Sequence, residues 1–299
     1  MRYDRLLENK TVWITGCATR PYDAYARLFS AHGARIVLID ANRGDGEALC
    51  AELRQGGGDR GNGCGGGAEY FHCDLHDSAA IEALCDSLLR PAPCDSLLLP
   101  AANQPGSAVS TAPDVYLHVA DEYGAAYIDE LKYSDLESMM AVSVVTPYTI
   151  ASRIAAPMAA KGGGSIVIVS GHYGVQAMNR VSGYGAAKGG QIALARALAA
   201  QFETQGSNIR VNAVVPGVSF PPVGEDILAQ SGEADTPDFW GTVQTFRRRG
   251  QVGELANAAL FLASGMASNV NGEALYVNGA EHLIAHNHYF PTKQIAEQL

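Results

Sequence analysis

Tyr184 and Lys188 stand four residues apart in Tyr184-Gly-Ala-Ala-Lys188, at the start of a run whose apolar residues recur at helical spacing. At that spacing both side chains project from one helical face. A tyrosine with a pKa of about 10 is a poor acid or base near neutrality, but a neighbouring ammonium favours the phenolate and lowers that pKa. The pair could therefore relay a proton. A half-buried tyrosine beside a solvated lysine has the same spacing, so the surrounding elements decide between the two.

Short β-branched and aliphatic runs recur at Thr11 to Thr15, Arg35 to Asp40, Glu69 to Cys73, Ser96 to Leu99, Ser165 to Ser170, Ile209 to Val215 and Glu273 to Val277. Between most of them lie helical patterns: Ala24 to His32, Ile81 to Leu89, Leu136 to Ala160, Tyr184 to Phe202 and Leu255 to Ala263. Continuous apolar strands alternating with helices predict a parallel sheet covered on both faces. The fold class is α/β, a doubly wound, seven-stranded parallel sheet of Rossmann type. It is expected to form one domain over residues 1–299, with a C-terminal extension from about residue 281.

Three stretches break the rhythm. Between Gly56 and Gly67 eight of twelve residues are glycine. A phosphate cradle must lead into a helix, whereas this segment leads into the strand at Glu69 and reads as a mobile surface loop. Pro105 to Tyr133, with Tyr116, His118, Tyr123, Tyr127 and Tyr133, is long for a connection inside a domain. Phe220 to Gly241 carries Pro221, Pro222, Pro237 and Trp240. The last two either wall a substrate pocket or simply pack on their own domain.

Several residues fall at the carboxyl ends of the predicted strands, where open α/β sheets bind ligands. They are Thr15-Gly16, Asp40, Cys73-Asp74-Leu75 and Val215-Pro216-Gly217, followed by Val218. Asp40 lies 24 residues after Gly16, where a carboxylate accepts hydrogen bonds from an adenosine ribose and repels a 2'-phosphate. That favours NAD over NADP; the alternative for Asp40 is a helix N-cap.

In this order of motifs the chain resembles the short-chain dehydrogenase/reductase family from about Asn9 to Ala280, closing on Phe261-Leu-Ala-Ser264 and Val277-Asn-Gly-Ala280. The resemblance implies that Tyr184 is the general acid-base, and that Lys188 holds the nicotinamide ribose and assists Tyr184. It further implies hydride transfer between nicotinamide and a substrate carbonyl or alcohol. The family's TGxxxGxG loop reads Thr15-Gly16-Cys17-Ala18-Thr19-Arg20-Pro21-Tyr22, with Arg20 and Tyr22 at the second and third glycine positions. This is similar to the glycine-poor loop of enoyl-acyl-carrier-protein reductases, which belong to the same superfamily and bind NAD. Arg20 either pairs with a phosphate or is solvated. The turn after the fourth strand corresponds to Leu99-Pro100-Ala101-Ala102, placing Ala101 against the cofactor, and the asparagine of the next helix corresponds to Ser143. The substrate-polarising serine, 13 residues before Tyr184, is Gly171, flanked by Ser170 and His172. Either neighbour is a candidate for that hydrogen bond, and His172 also for a second acid-base or a turn cap.

Composition limits the partners. A formal charge of -10 is the wrong sign for neutralising many phosphates, which argues against nucleic acid. Apolar runs shorter than the about 18 residues needed to span a bilayer, and a start of MRYDRLLENK, argue against a membrane and for the cytoplasm. The cysteines, Cys17, Cys50, Cys64, Cys73, Cys85 and Cys94, lack metal spacing and read as reduced thiols, so no metal is expected. Arg247-Arg248-Arg249 is either a solvated face or an anion contact. The helices at Leu136 to Ala160 and Tyr184 to Phe202 are apolar enough to predict a homodimer or homotetramer. The leading expectation is an NAD(H)-dependent oxidoreductase interconverting a secondary alcohol and a ketone of a small, fairly apolar molecule. The alternatives are a nonredox lyase, isomerase or dehalogenase using Tyr184, and a noncatalytic dinucleotide sensor or scaffold.

Overall fold

Alternate residues of the central strands are buried in two separate cores, which requires helices on both faces of the sheet. The computed structural model describes residues 4–56, 67–90, 112–232, 234–237, 239–240 and 246–283. Its strands are β1 Thr11–Thr15, β2 Arg35–Asp40, β3 Ala68–His72, β4 Val115–His118, β5 Gly164–Val169, β6 Ile209–Pro216 and β7 Ala274–Val277. They form one parallel sheet in the order β3-β2-β1-β4-β5-β6-β7. The helices are α1 Ala24–Ala31, α2 Arg43–Gly56, α3 Ser78–Leu89, α4 Tyr133–Met140, α5 Thr146–Ala160, α6 Ser182–Thr204, α7 Val223–Ser231 and α8 Val252–Ala263. The architecture is a single Rossmann-type domain with a seven-stranded sheet.

Val12, Ile14, Ile36, Leu38 and Leu117 pack with Phe29 of α1, Leu49 of α2 and Leu255 of α8. Trp13, Val37, Tyr116 and Ile166 point the other way, against Ile81 of α3, Ile154 of α5 and Leu198 of α6. The strand order reverses direction between β1 and β4, so the crevice beyond their carboxyl ends is where a ligand fits.

The fourth strand is a correction. The predicted run Ser96 to Leu99 lies outside the described residues, as does Ala101, and the strand between β1 and β5 is Val115–His118. A strand buried on both faces is ordinarily aliphatic, which hid this one, since it alternates Val115 and Leu117 with Tyr116 and His118. Thr15 Oγ1 meets two of its polar atoms, lying 2.8 Å from His118 Nδ1 and 3.3 Å from the Tyr116 hydroxyl, while among the described residues His118 Nε2 is buried without a hydrogen-bond partner. Part of the supposed loop Pro105 to Tyr133 is therefore central sheet, and Phe220 to Gly241 contains α7.

A π-turn, Ala141–Val145, joins α4 to α5. The helical run Tyr133–Ala160 is 28 residues long and apolar enough to cross a bilayer, contrary to the sequence expectation, and half of its most apolar window is buried inside the domain. The glycine-rich loop, apart from its end residues, lies outside the described residues, as does the C-terminal extension beyond Leu283. Cys17, Cys50, Cys73 and Cys85 are free and buried; Cys64 and Cys94 are not described.

Candidate active site

Helix α6 buries a stripe that runs Tyr184, Ala187, Lys188, Gln191, Ile192, Ala195 and Leu198, the three- and four-residue spacing of one helical face. Tyr184 and Lys188 are thereby carried to the carboxyl edge of the sheet, and both are almost fully buried. A buried ammonium needs a partner. That partner is Asp121, three residues beyond β4. Its Oδ1 lies 2.8 Å from Lys188 Nζ, and its Oδ2 accepts a hydrogen bond from the Tyr184 hydroxyl at 2.8 Å. The Lys188 ammonium is also 5.2 Å from the centre of the Tyr184 ring.

Asp121 was not expected from the sequence, because the strand that presents it was placed elsewhere. It also changes the acid-base balance. The sequence reading has Lys188 lowering the Tyr184 pKa; instead burial, and then the Asp121 carboxylate, push it well above the ordinary range. The phenol holds its proton because ionisation would place a phenolate against a carboxylate.

Gly16 and the residues after β4 meet across the crevice. Gly16 has φ +77°, and a Cβ there would lie 2.2 Å from Ala120 Cα, so only glycine permits the approach. Thr15 O accepts from both Val119 and Ala120 N, fixing the turn that presents Asp121.

Two hollows share Tyr22, Val119 and Asp121. One is bordered by Gly16, Asp40, Ala41, Asp74, Leu75 and Ala120. The other lies among Tyr184, Lys188, Ser170, Gly171, His172, Pro216 and Gly217. Adjoining at Tyr22, Val119 and Asp121, an outer hollow of about 460 Å³ and an inner one of about 30 Å³ form a groove narrowing from the end of β2 towards Tyr184.

Asp40 stands at the groove's outer end. Its Oδ2 accepts from Ala18 N at 3.1 Å and its Oδ1 from Asn42 N at 2.8 Å. Asn42 Oδ1 accepts from Asp45 N at the start of α2, so Asn42, not Asp40, serves as the cap. Asp74 accepts from His76 N at 3.0 Å and is 2.9 Å from His76 Nδ1; these contacts hold its carboxyl below the usual range. Leu75 is buried, and its carbonyl accepts from Thr146 Oγ1. Arg20, by contrast, is 81% exposed, 3.7 Å from Asp23 Oδ2, in a separate hollow beside α2.

Ser170 and His172 border the inner hollow, but neither hydroxyl nor ring is simply offered to it. Ser170 Oγ donates to the Lys188 carbonyl at 2.8 Å. His172 Nε2 lies 3.6 Å from Glu281 Oε1, with both side chains buried. Glu281 Oε2 accepts from Val218 N at 3.0 Å, so that amide is turned away from the groove while Gly217 lines it. Burial pushes the Glu281 carboxyl up to about 8. Ser143 lies in the π-turn with its hydroxyl buried and without a hydrogen-bond partner. Burial, then the nearby Lys188 charge, lowers His118 to about 3 and keeps it neutral. Arg248 pairs with Glu254, and Arg249 with Glu225 and Asp235, so two arginines of the basic run are held internally.

Whether a dinucleotide suits this groove can be judged at each end. At the outer end Asp40 would offer a ribose its remaining acceptor capacity beside two amide bonds; at the other end Lys188 and Tyr184, both held by Asp121, would supply an ammonium and a phenol. Between them the backbone amides of Tyr22, Ala24 and Tyr25 are used within their own turn. The residues fit the group at its two ends. Among the described residues no cluster of His, Cys, Asp or Glu could hold a metal ion.

A family model described as Enoyl-(Acyl carrier protein) reductase matches residues 23–280. The uncharacterized oxidoreductase YxbG of Bacillus subtilis (strain 168) is 30% identical over 297 residues, covering 98% of this chain and 96% of that protein. D-threitol dehydrogenase of Mycolicibacterium smegmatis (strain ATCC 700084 / mc(2)155) is 28% identical, covering 93% of this chain and 94% of its own. A solved gluconate 5-dehydrogenase from Burkholderia cenocepacia J2315, in complex with NADP and tartrate, superposes with a TM-score of 0.77 at 25% identity, covering 94% and 99% of the two chains.

Proposed function

The chain belongs to the short-chain dehydrogenase/reductase family and is an oxidoreductase of that type; from this premise we propose that it uses NAD(H) to interconvert a secondary alcohol and a ketone on a small molecule. The observation that carries the proposal is the pairing of Tyr184 and Lys188 at the inner end of a groove whose outer end is Asp40. When bound, the nicotinamide cofactor supplies or accepts the hydride. Tyr184 holds the proton that a substrate oxygen would take up, and Lys188 holds the Asp121 carboxylate to which that phenol is bonded. Tyr22, Val119, Val169 and Phe220 give the inner hollow, of about 30 Å³, mostly apolar walls, so a substrate would reach Tyr184 by widening it. The named relatives act on hydroxylated carbon chains, D-threitol in one case and gluconate in the other, which supports a secondary alcohol as the reacting group.

The choice of NAD rests on Asp40, whose carboxylate would face a 2'-phosphate. The gluconate 5-dehydrogenase with NADP marks the opposite choice within the same fold. Fluorescence titration with NADH and NADPH is the direct test. Tighter binding of NADH is expected, and equal or tighter binding of NADPH would overturn the choice. The proposal includes a cytoplasmic homodimer or homotetramer, supported by Tyr133, Val145 and Tyr148, which are exposed along one helical run.

A further inference from the structure

The turn after β4 places a carboxylate between Lys188 and Tyr184. Asp121 bridges the two at 2.8 Å on each side, one oxygen to each partner, so its two acceptors are used without competition. Its position is set by two strands, since Val119 and Ala120 N both bond to Thr15 O, and Ala120 is pressed against Gly16. A carboxylate held this rigidly, with about a fifth of its side chain exposed, acts on the phenol more strongly than a solvated one would.

We propose that Asp121 is a positioning residue that holds Tyr184 as a protonated phenol in the resting site, so that alcohol oxidation, which needs the phenolate, sets in only at higher pH. This rests on the redox reading above. In the reductive step the Tyr184 O–H bond breaks and its proton goes to the carbonyl oxygen. The carbonyl carbon receives the hydride of a reduced nicotinamide, which is oxidised as the C=O bond is reduced. Both directions pass through the Tyr184 phenolate, which the Asp121 charge opposes; the difference lies in the resting site, where the proton stays on the phenol and must be removed before an alcohol can be oxidised. The Lys188 ammonium, 5.2 Å from the ring centre, favours the phenolate and so opposes Asp121, while three tyrosines close the phenol in. Tyr22 comes from the loop after β1, Tyr123 from the loop after β4, and Tyr173 from the turn after β5. Asp226 of α7 accepts from Tyr123 at 2.6 Å, and the Lys188 ammonium pairs with Asp121 at 2.8 Å. Burial and the Asp121 charge push the Tyr184 pKa up, in line with this arrangement.

The test is a pH titration of the unliganded protein labelled with [¹³Cζ]tyrosine, in which the Tyr184 resonance is assigned by its loss in Tyr184→Phe. Asp121→Asn keeps an oxygen acceptor and removes the charge; Asp121→Gly removes the side chain and serves if the first variant does not fold. Ionisation of Tyr184 is expected at lower pH in either variant than in the parent, by about one unit or more. The same shift is expected in the pH profile of alcohol oxidation, whose onset should move to lower pH. An unchanged Tyr184 titration would overturn the proposal. Because the resonance reports ionisation without turnover, a protein that fails to reduce any ketone would contradict the redox reading alone and leave the titration to decide the role of Asp121.

Discussion

Asp40 meets the groove with a charge, and charge is the property to change. Asp40→Asn removes the charge and keeps one of the two acceptors that Ala18 N and Asn42 N use, so the loop after β1 retains one of its two bonds. The ratio of kcat/KM for NAD to that for NADP is expected to fall by about tenfold or more, because like charges brought together cost on the order of kcal/mol. An unchanged ratio would show that Asp40 does not face the ribose. Glu281 is a second place where charge matters. Burial raises its pKa from 4.5 to about 8, so the folded chain keeps a proton there that the unfolded chain releases. The stability tied to that proton is present below about 4.5 and is lost as pH rises toward 8. Glu281→Gln still accepts from Val218 N and does not ionise. Its melting temperature is expected to fall less than the parent's between those two pH values; parallel curves would contradict the assignment. Of the two candidates beside Gly171, Ser170 is committed to the Lys188 carbonyl, which shifts the expected loss of ketone reduction toward His172→Ala.

At the scale of elements, the close approach of the loop after β1 to the turn after β4 positions everything inside the groove. Gly16→Ala demands a left-handed backbone of a residue that resists it, at about 1–2 kcal/mol, and drives its Cβ into Ala120. Thermal or urea unfolding is expected to record at least that loss, and a change of less than about 0.5 kcal/mol would contradict the geometry. The strands whose residues are aliphatic on both faces were legible in the sequence: Thr11 to Thr15 and Arg35 to Asp40 match β1 and β2 end to end, and the others shift by a residue or so. Tyr184 and Lys188 were legible too, since their spacing and the strand before them can be read locally. β4 was not, because Tyr116 and His118 look polar until Thr15 is known to meet the hydroxyl of one and the Nδ1 of the other across the sheet. Asp121 went unread with it. Its role depends on a contact 63 residues away in sequence, which no local pattern carries. The one local signal was Val115-Tyr-Leu-His118 itself, a short run of strand-forming residues inside a segment otherwise read as loop.

For the whole molecule, the helical run Tyr133–Ala160 has to serve both as core and as surface. It exposes Tyr133, Val145 and Tyr148, and light scattering is expected to give a multiple of 31.5 kDa; the monomer mass would refute assembly. The central claim, that Tyr184 performs proton transfer in a nicotinamide-dependent reaction, is tested most directly by turnover. The measurement is kcat for NADH oxidation across a panel of ketones and hydroxyketones, with the parent protein and Tyr184→Phe, beside an NADH binding titration of each. Turnover by the parent is expected, with a loss of at least about 10²-fold in the variant and NADH binding retained. Activity of the variant within about threefold of the parent, or NADH binding with no turnover by the parent on any member of the panel, would contradict it.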